Sequence, residues 1–463
     1  MTRADNIILH LGLGSFHRAH QAVYLDDLLQ RGDGRWCIVG ANLRADMQAT
    51  LSALQAQGGE YTLETVTPAG ERHYRRIRAI REVLPFDATL APVIALGAQP
   101  QTRIISFTVT EGGYYLDAQH RLDLSFADLA SDLAGQTRHT IYGALAAVLA
   151  ERMRRNAGPV TLMNCDNLRS NGERFRSGLL DFLDRRGEST LRDWVQQHTT
   201  CPNAMVDRIT PRPPADLAAR VQAVTGWADA APVMAESFIQ WVIEDHFANG
   251  RPDWQAVGVQ MVDSVLPYEE AKIRVLNASH SCFAWAGTLR GLTYIHEAVA
   301  VPLIARMAHD YITQDVIPAL NPPGAPCPLD LAAYRDVVIE RFGNPHLADT
   351  LQRVAADGFS KIPGFIVPTL RDRLAAGQPI DATAVLPALF FAFLGRWHRG
   401  ELPYTYQDGV MEAATAHGFF TAADPLAAFC ADPLLWGPLA GDARLLAAVR
   451  AAEARVAAFL QGA

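Results

Sequence analysis

Apolar and polar positions change rhythm partway along the chain. In the first half, short apolar runs alternate with stretches of helical period. Ile7–Leu11, Trp36–Gly40, Tyr61–Val66, Ile104–Val109 and Val160–Asn164 read as strands. Helical patterns lie between several of them, notably over His20–Leu29 and Leu145–Arg155. This alternation predicts a parallel sheet with helices on its faces. Tyr61–Val66 and Tyr74–Ile80 flank Pro68-Ala69-Gly70, which predicts an inserted hairpin. From Pro267 onward strand patterns nearly vanish. Ala/Leu/Phe-rich helical segments take over, punctuated by Asn321-Pro322-Pro323-Gly324 and Gly400-Glu401-Leu402-Pro403. The expectation is an α/β domain over residues 1–266 and a mainly helical domain over residues 267–463.

The first strand runs directly into Gly12-Leu13-Gly14-Ser15-Phe16-His17-Arg18-Ala19-His20 and then into a helical pattern. Strand, glycine turn and helix in that order give a dinucleotide fingerprint its meaning, and make the first domain Rossmann-type. Gly12 permits the tight turn, and Gly14 lets the backbone approach a pyrophosphate. The helix start adds N–H groups and positive potential. His17 stands where the third glycine of the fingerprint is usual, which implies looser helix–strand packing. Without further context, an ordinary βα turn fits the same residues.

The second stretch with chemistry opens the helical half. Pro267, Glu269 and Glu270 mark a helix start. At about 100° per residue, Lys272 lies at 0°, His280 at about 80° and Asn277 at about 140°, while Arg274 points away at about 200°. Three groups facing one cleft suit chemistry at an alcohol. Lys272 can take the hydroxyl proton, provided its amine is neutral near pH 7, which a dry cleft and a positively charged nicotinamide both favour. Asn277 can donate an N–H to an oxygen gaining alkoxide character. The same trio on a solvated helix face would have no function.

Taken together, the blocks G-L-G-S-F-H-R-A-H at 12–20, N-C-D-N at 164–167, V-D-R-I-T-P at 206–211, K-I-R-V-L-N-A-S-H at 272–280 and D-G-F-S-K at 357–361 resemble the polyol-specific long-chain dehydrogenases, the mannitol dehydrogenase family. They run in that family's order through most of the chain. The resemblance implies oxidation of a secondary alcohol of an open-chain polyol to a ketose, with Lys272 as general base. It is greatest to members acting on D-arabinitol, which implies formation of D-xylulose. It adds Asn167 as a second oxyanion donor beside Asn277, and makes His280 a substrate-hydroxyl ligand. Arg353, Lys361 and Asp207 match positions that contact the hydroxyl chain. Gly12, Gly14, Ser15, Phe16, His17 and Arg18 match the cofactor turn. A lysine takes the place that zinc holds in other alcohol dehydrogenases, so no metal is expected, and the family implies a monomer. Read without the family, Arg353 and Lys361 are surface charges, Asn167 is a helix N-cap, Asp207 pairs with Arg208 or caps a turn, and His280 is a core histidine.

Cofactor choice turns on the residues after the second strand. Asp46 can accept from the adenosine ribose and repel a 2′-phosphate, although it lies 34 positions after Gly12 and the usual spacing is about 20. Arg44 could meet a 2′-phosphate. NAD is expected, with weak NADP use. The other reading of Asp46 is a helix cap.

Composition narrows the remaining classes. A net charge of −8 over 463 residues argues against nucleic acid or an anionic membrane as partner. The start carries no apolar signal region, and the run Ala382–Leu394 is too short to span a bilayer and holds Pro387. The 6 cysteines form no C-x-x-C pair, which fits a reducing cytosol and inert buried thiols. His17 and His20 are three apart, but no acid or thiol stands nearby to complete a metal site. Alternative functions are mannitol oxidation to fructose, a fructuronate- or altronate-type oxidoreductase using Arg353 and Lys361 on a carboxylate, and a non-catalytic dinucleotide sensor.

Overall fold

Six parallel strands organise the first half of the chain. A computed structural model describes residues 5–117 and 121–462. Its strands are β1 (Asn6–Leu11), β2 (Trp36–Ala41), β3 (Tyr61–Val66), β4 (Arg72–Ile77), β5 (Ile80–Val83), β6 (Thr102–Phe107), β7 (Val160–Asn164), β8 (Thr199–Thr200), β9 (Ala204–Asp207), β10 (Val233–Glu236), β11 (Gln240–Glu244) and β12 (Gln260–Val262). The main sheet has the order β5-β2-β1-β6-β7-β8, and every pairing in it is parallel. From β1 the chain moves to one side, through β2 to β5, and returns to β6 on the other. The switch point therefore falls at the carboxyl ends of β1 and β6, where such sheets bind ligands.

The strands read as nearly continuous apolar runs because both sheet faces are covered. Leu9, Leu11, Ile105, Phe107, Val160 and Leu162 enter one core with Leu145, Phe175 and Phe182. Ile8, Ile38, Ile104 and Met163 enter the other with Leu25, Trp241 and Trp254. His10 and Ser106 interrupt this pattern as fully buried polar residues.

Several boundaries differ from the sequence expectation. β6 stops at Phe107, short of Val109, because the Val109 and Thr110 N–H groups donate to the Asp166 carboxylate. The expected hairpin forms, with β3 antiparallel to β4 and parallel to β10. Ile80, expected to close the hairpin, instead begins β5 and pairs with Ile38 in the main sheet. The helix expected after the glycine turn is two helices, α1 (Ser15–Ala19) and α2 (Gln21–Gln30), broken at His20 (φ −128°, ψ −87°). β9, β11 and β12 form a further small sheet that periodicity did not suggest.

The chain forms two compact units: residues up to Thr67 with Glu71–Leu266, and Pro68–Gly70 with the residues from Pro267. After Val262 no further strand is formed among the described residues. The second unit's core centres on the helices Ala278–Leu289 and Val385–His398, which bury Phe283, Trp285, Phe390 and Phe393. Pro387 falls in the first turn of the latter helix, where its missing N–H costs nothing. Three segments of this unit are π-helical: Lys272–Asn277, Tyr311–Val316 and Ile362–Ile366. Among the described residues, no helix is long and apolar enough to cross a membrane.

Candidate active site

The glycine turn sits at the end of β1. Gly12 has φ +104°, and a Cβ there would lie 2.7 Å from the Thr108 carbonyl oxygen, so only glycine fits. A Cβ at Gly14 would meet only the Gly12 oxygen, at 4.0 Å. The backbone at Gly14 therefore borders a cradle that a side chain would fill, and this open space fits a dinucleotide pyrophosphate. Neighbouring strands pin the turn. The Leu13 N–H donates to Asn42 Oδ1 at 2.8 Å, Thr108 Oγ1 donates to the Gly12 carbonyl at 3.1 Å, and His10 Nε2 lies 2.9 Å from the same carbonyl. Close packing does not need the missing third glycine. Gly40 on β2 supplies it, since a Cβ there would overlap the Leu13 side chain. His17 stacks on His10, with centroids 3.3 Å apart and planes inclined by 12°, so the packing beneath the turn is filled rather than loose. Burial holds both imidazoles well below the ordinary histidine range, and both are neutral at pH 7.

The remaining residues of this block divide by burial. Ser15 and Phe16 are half-buried beside the turn, and Phe16 stacks on His20. Arg18 is buried beneath it, where it donates to the Ala231 carbonyl and lies over the Tyr61 ring at 5.3 Å. The helix that starts here is only five residues long, so its dipole is weaker than the sequence implied. His20 is bound to the Gln240 carbonyl and the Gln21 amide, which leaves the His17/His20 pair unavailable as metal ligands. Among the described residues no cluster of three His, Cys, Asp or Glu side chains could hold a metal ion.

Asp46 is exposed in a short turn, Ala45–Met47, after β2. Arg44 donates to Tyr115 Oη and pairs with Asp128, each at 2.7 Å. Beyond β7, the Asp166 carboxylate ties down the loop after β6, accepting from Val109 N, Thr110 N and Tyr114 Oη. Asn167 is exposed, and it is not the cap expected of it: the next helix starts at Asn171, with Ser170 in the cap position. Asp207 is buried at the end of β9, opposite Gln240. Its neighbour Arg208 donates to the carbonyls of Glu236 and Ala19.

In the second unit the reactive segment is not a plain α-helix. Lys272 is buried at the first position of the π-helical stretch, and Asn277 occupies the last. A π turn closes over five residues, so these two share a face. The α-helical count had set them about 140° apart. Displaced carbonyls in this stretch are met by hydroxyls. Tyr311 Oη donates to the Arg274 carbonyl at 2.9 Å, and Ser281 Oγ donates to the Asn277 carbonyl at 3.2 Å. Arg274 is buried on ion pairs with Glu270 and Asp372, both at 2.7 Å.

His280, Arg353 and Lys361 gather around a residue that sequence reasoning missed. Asp349 accepts from Arg353 through both oxygens, at 2.7 and 2.6 Å. Its Oδ2 also lies 3.4 Å from Nε2 of His280, longer than a normal hydrogen bond. His280 stacks on Phe342 at 4.3 Å, and burial lowers its pKa. Lys361 Nζ donates to the Val354 carbonyl at 2.6 Å, and burial brings its amine down to about 8. Gly358 in the same block is required, because a Cβ there would overlap the Phe390 ring. Asp349 gives no periodic signal. Its one hint is the i,i+4 spacing to Arg353. His10, by contrast, shows in the sequence as a lone polar residue inside an apolar strand.

The chain is similar to known proteins over nearly its whole length. The family profile described as the mannitol dehydrogenase Rossmann domain matches residues 6–256, and that described as the mannitol dehydrogenase C-terminal domain matches residues 264–456. A D-arabinitol 4-dehydrogenase of Ralstonia nicotianae is 60% identical over 456 residues, covering 98% of this chain and 97% of its own length. A D-arabinitol 4-dehydrogenase of Klebsiella pneumoniae is 56% identical over 448 residues, with 97% of each chain covered. Among solved structures, the ternary complex of Pseudomonas fluorescens mannitol 2-dehydrogenase with NAD and D-mannitol superposes with a TM-score of 0.83. Its identity is 34%, and the match covers 99% of this chain and 94% of that one.

Proposed function

Since the chain belongs to the mannitol dehydrogenase family, we propose that it oxidises D-arabinitol to D-xylulose with NAD, using Lys272 as general base and no metal. The observation that carries this reading is the buried Lys272 one π turn from Asn277. The two D-arabinitol 4-dehydrogenase relatives support the substrate.

Bound NAD would supply the hydride acceptor. The neutral amine of Lys272 takes the hydroxyl proton, the C–H hydride leaves, and the C–O bond becomes a carbonyl. Asn277 and Asn167 donate to the oxygen while it carries alkoxide character, and two fixed neutral donors stabilise that charge without reorganising. His280 binds a substrate hydroxyl, and Arg353, Lys361 and Asp207 hold the rest of the hydroxyl chain. Gly12, Gly14, Ser15 and Phe16 border the dinucleotide, while His17 and Arg18 support that turn from beneath. Asp46 accepts from the adenosine ribose and disfavours a 2′-phosphate. Arg44, already paired with Asp128, offers NADP little compensation.

The test is absorbance of reduced cofactor with D-arabinitol, D-mannitol, D-sorbitol, xylitol and tagaturonate, each with NAD and NADP. D-arabinitol with NAD should give the highest kcat/KM. Lys272→Ala should lower kcat by about 10²–10⁴-fold, the size of a general-base contribution, while NAD titration stays near wild type. Near-normal turnover in that variant with an unchanged pH profile would refute the lysine mechanism.

A further inference from the structure

We propose that Asp349 determines the preference for uncharged polyols over sugar acids, by holding Arg353 in a neutral ion pair while orienting His280. The inference rests on the reading that His280 and Arg353 face the substrate.

The backbone around Asp349 is fixed. Its carbonyl accepts from Ile295 N at 2.9 Å, Thr350 bridges to Tyr294, and Leu351 N donates to the Thr293 carbonyl at 2.9 Å. Its side chain is 13% exposed, so the carboxylate has little access to water. His280 and Arg353 keep it below the ordinary carboxylate range, even though its burial works the other way. Asp349 is therefore an anion at any working pH. A carboxylate beside Nε2 favours a proton on that nitrogen and leaves Nδ1 as the acceptor.

The consequence for Arg353 is electrostatic. Recognition of a substrate carboxylate uses the guanidinium fork with two parallel N–H donors. Here two of those donors, Nε and Nη2, are spent on Asp349. The pair has no net charge, and neutral His280 adds none. The nearby Lys361 has its amine bonded to the Val354 carbonyl and reduced in basicity by burial. The Arg353 side chain is 66% exposed, so what a sugar acid lacks here is a free cation rather than a dry pocket: its carboxylate meets a guanidinium that Asp349 already neutralises. A polyol hydroxyl needs only one donor or acceptor, which the neutral arrangement supplies.

The experiment compares the KM for D-arabinitol with the inhibition constant of D-arabinonate, its five-carbon acid analogue, in Asp349→Asn, Asp349→Glu and Asp349→Asn/Arg353→Gln. Asp349→Asn frees a cation and loosens His280. KM for D-arabinitol should rise several-fold while the inhibition constant for D-arabinonate falls about tenfold. Asp349→Glu should restore most of the wild-type ratio, and the double variant should lose the gain for D-arabinonate. A structural role alone would weaken both ligands together, and that result would overturn the proposal. If Asp349→Asn does not fold, Arg353→Gln alone decides: it leaves Asp349 unpaired and should weaken D-arabinonate more than D-arabinitol, and equal weakening would overturn the proposal. Wild-type enzyme that oxidises no polyol would refute the proposed function itself. Polyol turnover with no opposed shift in Asp349→Asn would refute only the role of Asp349.

Discussion

Lys361 shows what one half-buried amine does to stability. Its pKa falls from 10.5 to about 8 because burial disfavours the charged form. Between those values the unfolded chain binds more protons at this site than the folded chain, so the contribution to stability rises with pH. Below about pH 8 both states are protonated and the full penalty of the buried charge remains. Lys361→Met removes this titration along with the bond to the Val354 carbonyl. The difference in Tm, variant minus wild type, should therefore decrease from pH 7 to pH 10, as wild type recovers. Thermal melts at the two pH values check this, and a constant difference would mean that Lys361 is not desolvated. At the same scale, Gly12 and Gly40 are both fixed by neighbours, Thr108 and Leu13, on adjacent chain segments.

At the scale of the element, the π-helical stretch Lys272–Asn277 is the unusual feature. A π turn lasts only where other groups satisfy its displaced carbonyls, and Tyr311 does this for Arg274. Tyr311 is itself fully buried, at the start of another π-helical stretch. Tyr311→Phe keeps the ring and deletes the donor, leaving a buried carbonyl unpaired at a cost of about 1–3 kcal/mol. Reversion toward an α turn would move Lys272 and Asn277 off their shared face. The expected outcome is a kcat for polyol oxidation lowered about tenfold, a shifted pH profile and an unchanged Kd for NAD, on the basis that misplaced groups lose general-base catalysis. A lower Tm with unchanged kcat and pH profile would show that the hydroxyl only stabilises the helix.

Across the whole molecule, the first unit presents a glycine cradle at the switch point of a parallel sheet, and the second presents Lys272, Asn277 and the group around Asp349. The proposed mechanism assigns the base role to Lys272 and uses no metal. Turnover should therefore survive prolonged dialysis against EDTA. A large loss that zinc restores would replace the lysine mechanism with a metal-dependent one.

The sequence by itself determined four strands of the parallel sheet, β1, β2, β6 and β7, together with the glycine turn and the change to helices near Pro267. Each of these is written in residues close together in the chain: an apolar run, a Gly-x-Gly, a Pro followed by acids. It also misplaced features that depend on distant partners. β6 ends early because of Asp166, Ile80 joins the main sheet through Ile38, and Asn167 yields the cap position to Ser170. Only the tertiary structure showed that Lys272 and Asn277 span a π turn, closer around the helix than the α-helical count, with a hydroxyl from Tyr311 on the Arg274 carbonyl. Only it brought His280 and Arg353 to Asp349, and stacked His17 on His10 where a glycine was expected. Periodicity records which side of an element is apolar. It carries no information about which side chains, far apart in the chain, meet to share a proton, a charge or a carbonyl.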